Sequence, residues 1–123
     1  MTITRYETGP RISQAVVHNG VVYLTGQNGT PGLSVRQQTR ETLDHIDRLL
    51  EKAGSHKSRI LSTTLWLADI NDFDAVNEVW ESWVDGDNPP ARATGEVKMI
   101  TPDYKVEIIV VAGVCDGTTS AAQ

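Results

Sequence analysis

The sequence predicts an α+β domain, a mixed β-sheet with two helices packed on one of its faces. Three observations carry that prediction. An Asn19-Gly20 pair joins two runs of strand-forming residues, 13–18 and 21–25, the strongest short-range hairpin signal in the chain. Two stretches, one opening at Ser34 and one after Asn71, repeat apolar residues at spacings of three and four. A last pair of β-rich runs, between Asn88 and Gly113, flanks the turn signal Thr101-Pro102-Asp103-Tyr104. Hairpins beside single crossovers define the α+β class.

In chain order, residues 3–7 read as a short strand, followed by the Asn-Gly hairpin. Gly-Gln-Asn-Gly-Thr-Pro-Gly, residues 26–32, is a turn-rich loop. Ser34 reads as an N-cap with Gln37 completing a capping box. Val35, Thr39, Leu43, Ile46, Leu50 and Ala53 then form the buried stripe of a helix of about five turns, which Gly54 stops. Residues 60–67, Ile-Leu-Ser-Thr-Thr-Leu-Trp-Leu, form a strand. Asn71 caps a second helix whose stripe is Phe73, Val76, Trp80 and Val84, and Asp85-Gly86 with Pro89-Pro90 ends it. No linker, repeat or low-complexity block interrupts this order. The expectation is one domain over residues 1–114 and a small, polar, flexible tail over 115–123.

Composition narrows the function. A chain of 123 residues with 39% apolar and 22% charged residues is that of a globular domain. Its net charge of −5 offers no broad basic surface, so nucleic acid is not an expected partner. The N-terminus has no long apolar core of a signal peptide, and no run reaches membrane-spanning length. The single cysteine, Cys115, cannot form an internal disulfide. Together these place the chain in the cytoplasm, away from membranes. His18, His45 and His56 are too scattered for a metal motif, and residues 26–32 lack the Gly-Lys-Ser/Thr ending of a phosphate loop. Ser62-Thr63-Thr64 has no His/Asp set around it. Trp80 lies on a helical apolar stripe and is read as core.

Two charges stand out on the closing pair of strands: Arg92, just past a double proline, and Glu107, at the head of an apolar run. If Pro102 and Asp103 form a two-residue turn, Met99 faces Val106, Lys98 faces Glu107 and Arg92 faces Gly113. One face of this hairpin is then wholly apolar and meets the helices, while Arg92 and Glu107 share the other. They lie roughly 20 Å apart along the strands. Two charges so far apart serve one small ligand only if Arg92 of one subunit meets Glu107 of another. A half-apolar sheet face free of helices is also what an oligomer buries. The residues alone leave open the plainer alternatives of a Lys98–Glu107 cross-strand ion pair and a solvated cation at Arg92.

Pro90-Ala91-Arg92, followed by Lys105-Val106-Glu107-Ile108, resembles the C-terminal signature of the Rid/YjgF family of reactive-intermediate (enamine/imine) deaminases. Gly9-Pro10 with Ser13-Gln14-Ala15-Val16 is similar to the family's N-terminal segment, and Val22-Tyr23-Leu24-Thr25-Gly26-Gln27 to its second strand and Ser-Gly-Gln turn. Glu51-Ala53-Gly54 and the segment from Leu67 to Asn77 resemble the end of its first helix and its strand-to-helix passage. The Gly9–Ser13 segment departs from the family's pattern: it is a residue longer, lacks the tyrosine common after Gly-Pro, and carries Arg11. Thr94 stands where a cysteine is frequent.

The resemblance implies a chorismate-mutase-like fold, a homotrimer with clefts between subunits, and hydrolysis of 2-imino or 2-enamino acids to 2-oxo acids and ammonia, without cofactor or metal. It implies that Arg92 grips the substrate carboxylate, that Glu107 handles the water, and that backbone groups at Thr94 and Gly26 bind the imine nitrogen and the water. The small 2-imino/2-oxo carboxylic acid is the expected partner. A non-catalytic small-carboxylate binder, acting as a sensor or regulator, and a hydrolase of one pathway's unusual imine or enamine are the alternative functions.

Overall fold

A computed structural model of the chain describes residues 2–115. Of the expected flexible tail, everything beyond Cys115 lies outside the described residues. Cys115 itself is tied down, its backbone N–H donating to Gly54 O at 2.8 Å.

The elements follow the expected order: β1 (Thr4–Thr8), β2 (Ser13–His18), β3 (Val21–Leu24), α1 (Val35–Lys52), β4 (Ile60–Leu67), α2 (Phe73–Trp83), β5 (Ala91–Glu96) and β6 (Val106–Gly113). They build one mixed sheet in the order β1-β2-β3-β6-β4-β5. At the β2–β3 turn Asn19 and Gly20 both have positive φ, 52° and 77°, the pair of left-handed residues that a type I′ turn requires.

Helix α1 begins with the expected capping box, Ser34 accepting from Gln37 N and the Gln37 side chain accepting from Ser34 N. Its buried face is wider than the apolar stripe, since Gln38, Thr39 and Thr42 are fully buried beside Leu43, Ile46, Leu49 and Leu50. Thr39 and Thr42 donate back to Val35 O and Gln38 O, which satisfies their hydroxyls. Gln38 works as a clamp: its Nε2 donates to Leu33 O and Asp103 O, and its Oε1 accepts from Lys105 N. The second helix differs from expectation at its start. Asp69, not Asn71, supplies the cap, accepting from Asn71 N to open a 3-10 turn at Ile70–Asp72 that runs into α2. Trp83 takes the buried place expected for Val84, and Phe73 stays 38% exposed.

The closing pair of strands does not form a hairpin. Strand β4 lies between β5 and β6, parallel to β5 and antiparallel to β6. Helix α2 is the crossover of a β4-α2-β5 unit, and a single helical crossover returns the chain parallel to the strand it left. The Met99–Val106, Lys98–Glu107 and Arg92–Gly113 pairings are therefore replaced. Glu107 faces Trp66, and Arg92 faces Thr63. Residues 97–105 form a connection across the end of β4, held by Val97 N to Leu67 O and Ala68 N to Lys105 O.

On β6 the alternation is complete: Val106, Ile108, Val110 and Ala112 are fully buried under the helices, and Glu107, Ile109 and Val111 face the other side. Among the described residues, that second face of the sheet carries no helix.

Glu7 ties the first strand to α1. Its φ of 52° is left-handed, a strained state for a residue with a Cβ. Its carboxylate accepts from Arg48 at 2.6 Å and from Lys52 at 3.0 Å. Hydrogen bonds from Arg48, then from Lys52, hold the Glu7 carboxyl down to about 2 from an ordinary 4.5. A carboxyl depressed in the folded state stabilises above its unfolded pKa, and that stability is lost as pH falls through the folded value. Glu7→Gln is therefore expected to lower Tm at neutral pH, with the gap to wild type closing between about 4.5 and about 2. Thermal unfolding across that range checks it; a gap that stays constant with pH would assign the loss to something other than the ion pairs.

Candidate active site

The Glu107 side chain leaves β6 on the helix-free face and lies against the loop after β3. Gln27 and Ile108 bond each other's backbone, N to O at 2.9 and 3.0 Å, which seats the loop on β6. Thr25 fastens its near end, its N–H donating to Gln14 O and its hydroxyl to Ser13 O. Gln27 Nε2 donates to Gln14 Oε1 and Thr25 O. Farther along, Gly29 crosses α1 so closely that a Cβ there would stand 2.6 Å from Gln38 O. Gly26 thereby comes under the Glu107 carboxylate: a Cβ at Gly26 would meet Glu107 Oε2, Cδ and Cγ, with Oε2 the nearest. On the other carboxylate oxygen Asn28 Nδ2 donates to Glu107 Oε1 at 3.4 Å while also donating to Val106 O at 3.1 Å. A cavity of about 140 Å³ opens beside this carboxylate, lined by Asn28, Met99, Ile100, Tyr104 and Glu107.

Arg92 lies on the other side of the sheet. Its register partner Thr63 is buried on the helix face, as is Leu65, the partner of Thr94, so Arg92 and Thr94 point to the helix side of β5. The guanidinium sits over Phe73 and Trp80 of α2, 5.9 and 5.5 Å from the ring centroids. Among the described residues it has no hydrogen bond and no carboxylate partner within ion-pair distance. Burial lowers its pKa from the ordinary guanidinium value, and the Glu81 charge works in the opposite direction. Among the described residues strand β5 is the last of the sheet, so the edge of its backbone away from β4 has no strand beside it.

The structure thus forms two pairs, Gly26 with Glu107 and Arg92 with Thr94, and keeps them apart. Arg92 and Glu107 do not share a face, as the closing-hairpin reading had it; the register through β4 aligns Arg92 with Val110, three residues from Glu107, which puts the two on opposite faces. Two strand spacings and three residues along the strands separate their Cα atoms by roughly 14 Å. Neither plain alternative describes these residues. Glu107 has no ion pair with Lys98, which lines a separate cavity with Lys105, and Arg92 is half-buried on aromatic rings rather than solvated. Arg11 is exposed at the β1–β2 turn, which Gly9 N to Ile12 O closes. His56 caps the 3-10 turn at Lys57–Arg59.

Comparison with known proteins identifies the family. The family described as Endoribonuclease L-PSP matches residues 2–114. The RutC family protein YoaB of Escherichia coli is 45% identical over 114 residues, 93% of this chain and 100% of that protein. The chain belongs to the Rid/YjgF family. A crystal structure of a YjgF family member from Neisseria meningitidis, NMB1025, superposes with a TM-score of 0.92 at 37% identity, covering 94% of this chain and 98% of that one. The rat 2-iminobutanoate/2-iminopropanoate deaminase is 34% identical over 108 residues, 81% of this chain and 77% of that protein.

Within the Rid/YjgF fold, three residues that sequence reading missed support the two pairs. Asn28 orients Glu107, and Phe73 and Trp80 carry Arg92. The Phe73/Trp80 spacing of seven was visible as a helical stripe, but nothing local says that a strand-edge arginine lies across it. Asn28 gave no signal, because its contact depends on the fold of a loop without periodicity.

The two glycines of this loop separate site from scaffold. At Gly26 the obstacle to a Cβ is the end of a flexible side chain, whereas at Gly29 it is the backbone of α1. Gly26→Ala is expected to leave Tm nearly unchanged while displacing the Glu107 carboxylate and removing most of any activity that depends on it. Gly29→Ala is expected to cost about 1–3 kcal/mol of stability, as overpacking does. Denaturant unfolding of both variants, with a crystal structure of Gly26→Ala, checks the pair.

Proposed function

We propose that this protein hydrolyses 2-imino acids, or their 2-enamino tautomers, to 2-oxo acids and ammonia, in clefts between the subunits of a homotrimer with the chorismate-mutase-like arrangement. The observation that carries the reading is the pair of half-sites on opposite faces of one sheet. A guanidinium with no carboxylate partner among the described residues stands at the sheet's edge, and a carboxylate is oriented on the helix-free face. A family relative named for 2-imino acid deamination supports the choice of reaction.

In this reading Arg92 of one subunit takes the substrate carboxylate in a two-point grip, which its planar fork suits and its aromatic support steadies. Glu107 of the next subunit accepts a proton from water as the oxygen attacks C2 of the protonated imine. The resulting carbinolamine takes that proton on nitrogen; the C–N bond breaks with its electron pair leaving on ammonia, and the hydroxyl loses its proton to give the 2-oxo acid. Iminium and water become 2-oxo acid and ammonium, so no oxidant or reductant is consumed. The iminium is already electrophilic, and positioning supplies most of what the step needs. In the same reading, backbone groups at Thr94, on the outer strand edge, and at Gly26, under the carboxylate, hold the nitrogen and the water. The ribonuclease in the family's description gains no support from a chain of net charge −5.

The test couples an amino-acid oxidase, which releases 2-imino acids, to semicarbazide capture of what escapes. Wild type is expected to suppress capture, and Arg92→Ala and Glu107→Ala are each expected to lose at least about a hundredfold. Co-expressing the two variants tests the intersubunit cleft. Random assembly leaves about a quarter of the sites with both residues intact, so about a quarter of wild-type activity should return if the site spans two chains. No recovery in verified mixed oligomers would place both residues in one chain's site, and a wild type that binds 2-oxo acids without hydrolysing imines would favour a carboxylate sensor.

A further inference from the structure

We infer that the cavity beside Glu107 is a side-chain subsite, and that this protein selects 2-imino acids bearing a branched aliphatic or aromatic side chain over those bearing methyl or ethyl. The inference rests on the proposed reaction and names its substrate class.

C2 of a 2-imino acid has three substituents: carboxylate, nitrogen and side chain. With the carboxylate on Arg92 of a neighbouring subunit and C2 within reach of the Glu107 water, the surface beside Glu107 on its own chain receives the third. That surface is the cavity of about 140 Å³, whose walls beyond Glu107 and Asn28 are Met99, Ile100 and Tyr104. A dry protein cavity of about 150 Å³ holds a benzene molecule, so this volume suits an isobutyl or benzyl group, and a methyl would leave most of it unfilled. The lining chemistry agrees. Asn28 is already engaged with Val106 O and Glu107, and Glu107 itself repels an acidic side chain. Ile100, an apolar residue, is 92% exposed beside it.

The subsite is also preformed. The 97–105 connection that supplies Met99, Ile100 and Tyr104 is pinned by the fully buried Gln38, through Asp103 O and Lys105 N, and by Tyr104 N to Thr101 O. Met99 and Ile100 also line a second, adjoining cavity, whose other walls include Lys98, Lys105 and Asp69.

Calorimetric titration with pyruvate, 2-oxobutanoate, 4-methyl-2-oxopentanoate and phenylpyruvate tests this without requiring turnover. Each added carbon buried in an apolar pocket is worth up to about fourfold in affinity, so 4-methyl-2-oxopentanoate is expected to bind at least about tenfold tighter than pyruvate. Ile100→Ser, at an exposed position that leaves folding intact, should shrink that ratio to about threefold, and Met99→Ala should shrink it as well. Equal or weaker binding of the larger acids, a ratio unmoved by both substitutions, or no binding of any 2-oxo acid would overturn the subsite. Graded binding without imine hydrolysis would sink the deaminase reading alone. Hydrolysis at equal kcat/KM for all imines would sink the subsite alone.

Discussion

Strand β6 serves two faces at once, and the rest of the structure depends on its register. Lying between β3 and β4, it turns Val106, Ile108, Val110 and Ala112 into the core, all fully buried. Strand geometry then leaves Glu107 no choice of side. A slip of one residue would exchange every inward side chain for an outward one and drive a carboxylate under the helices, at the cost of several kcal/mol that an unpaired buried charge incurs. The hydrophobic core therefore sets the side of the sheet on which the carboxylate stands, and Asn28 has only to orient it there. The loop from Thr25 to Asn28 follows from the same strand, because its bridge to Ile108 sets both Gly26 and Asn28 against Glu107.

Arg92 is placed by a different constraint. A strand that returns through α2 must lie parallel to β4, and the only free flank of β4 is the outer one, since β6 holds the other. Arg92 is consequently at an edge, and the helix that delivered β5 lies beneath it with Phe73 and Trp80. A flat guanidinium can rest on two rings and still present N–H groups outward; the point charge of a lysine could not do both. Burial lowers the Arg92 pKa, yet a guanidinium stays protonated at any physiological pH, so the effect is a cation poorer in water and readier for an anion.

What the sequence made legible is what short-range physics decides. The Asn19-Gly20 turn, the Ser34 capping box, the stop at Gly54 and strand β4 are settled by neighbours within a few residues, and each stands where it was expected. The closing hairpin was not legible in the same way. Period-two alternation is identical for strands paired with each other and for strands paired with a third, so the apolar faces of 91–96 and 106–113 could not say that β4 lay between them. The turn signal at residues 101–103 is real but belongs to a longer connection. The deciding information was topological: a strand, one helix and another strand imply a parallel neighbour. That rule gives the strand order; the faces of Arg92 and Glu107 follow only from the register, Arg92 with Thr63 and Thr63 with Val110. Gln38 was missed for a related reason, since a buried amide is visible only through the loop carbonyls it satisfies.

The separation of the half-sites constrains how chains can associate if the two are to meet. Glu107 looks out from a face that also shows Tyr23, 48% exposed, with Val16, Ile109, Val111 and Trp66 around it. Apolar surface of this kind is rarely left to water. Covering it with the same face of a second chain would bring Glu107 to Glu107 and leave Arg92 at the outer edge, so the two charges would stay apart. Bringing Arg92 to Glu107 instead requires the β5 edge of one chain to reach the bare face of the next, a contact between unlike surfaces. Such contacts either propagate or close into a ring, and closure buries each bare face once and completes each site once. The proposed trimer is a small ring of that type, with the apolar faces turned toward its axis and the guanidiniums brought in at the seams.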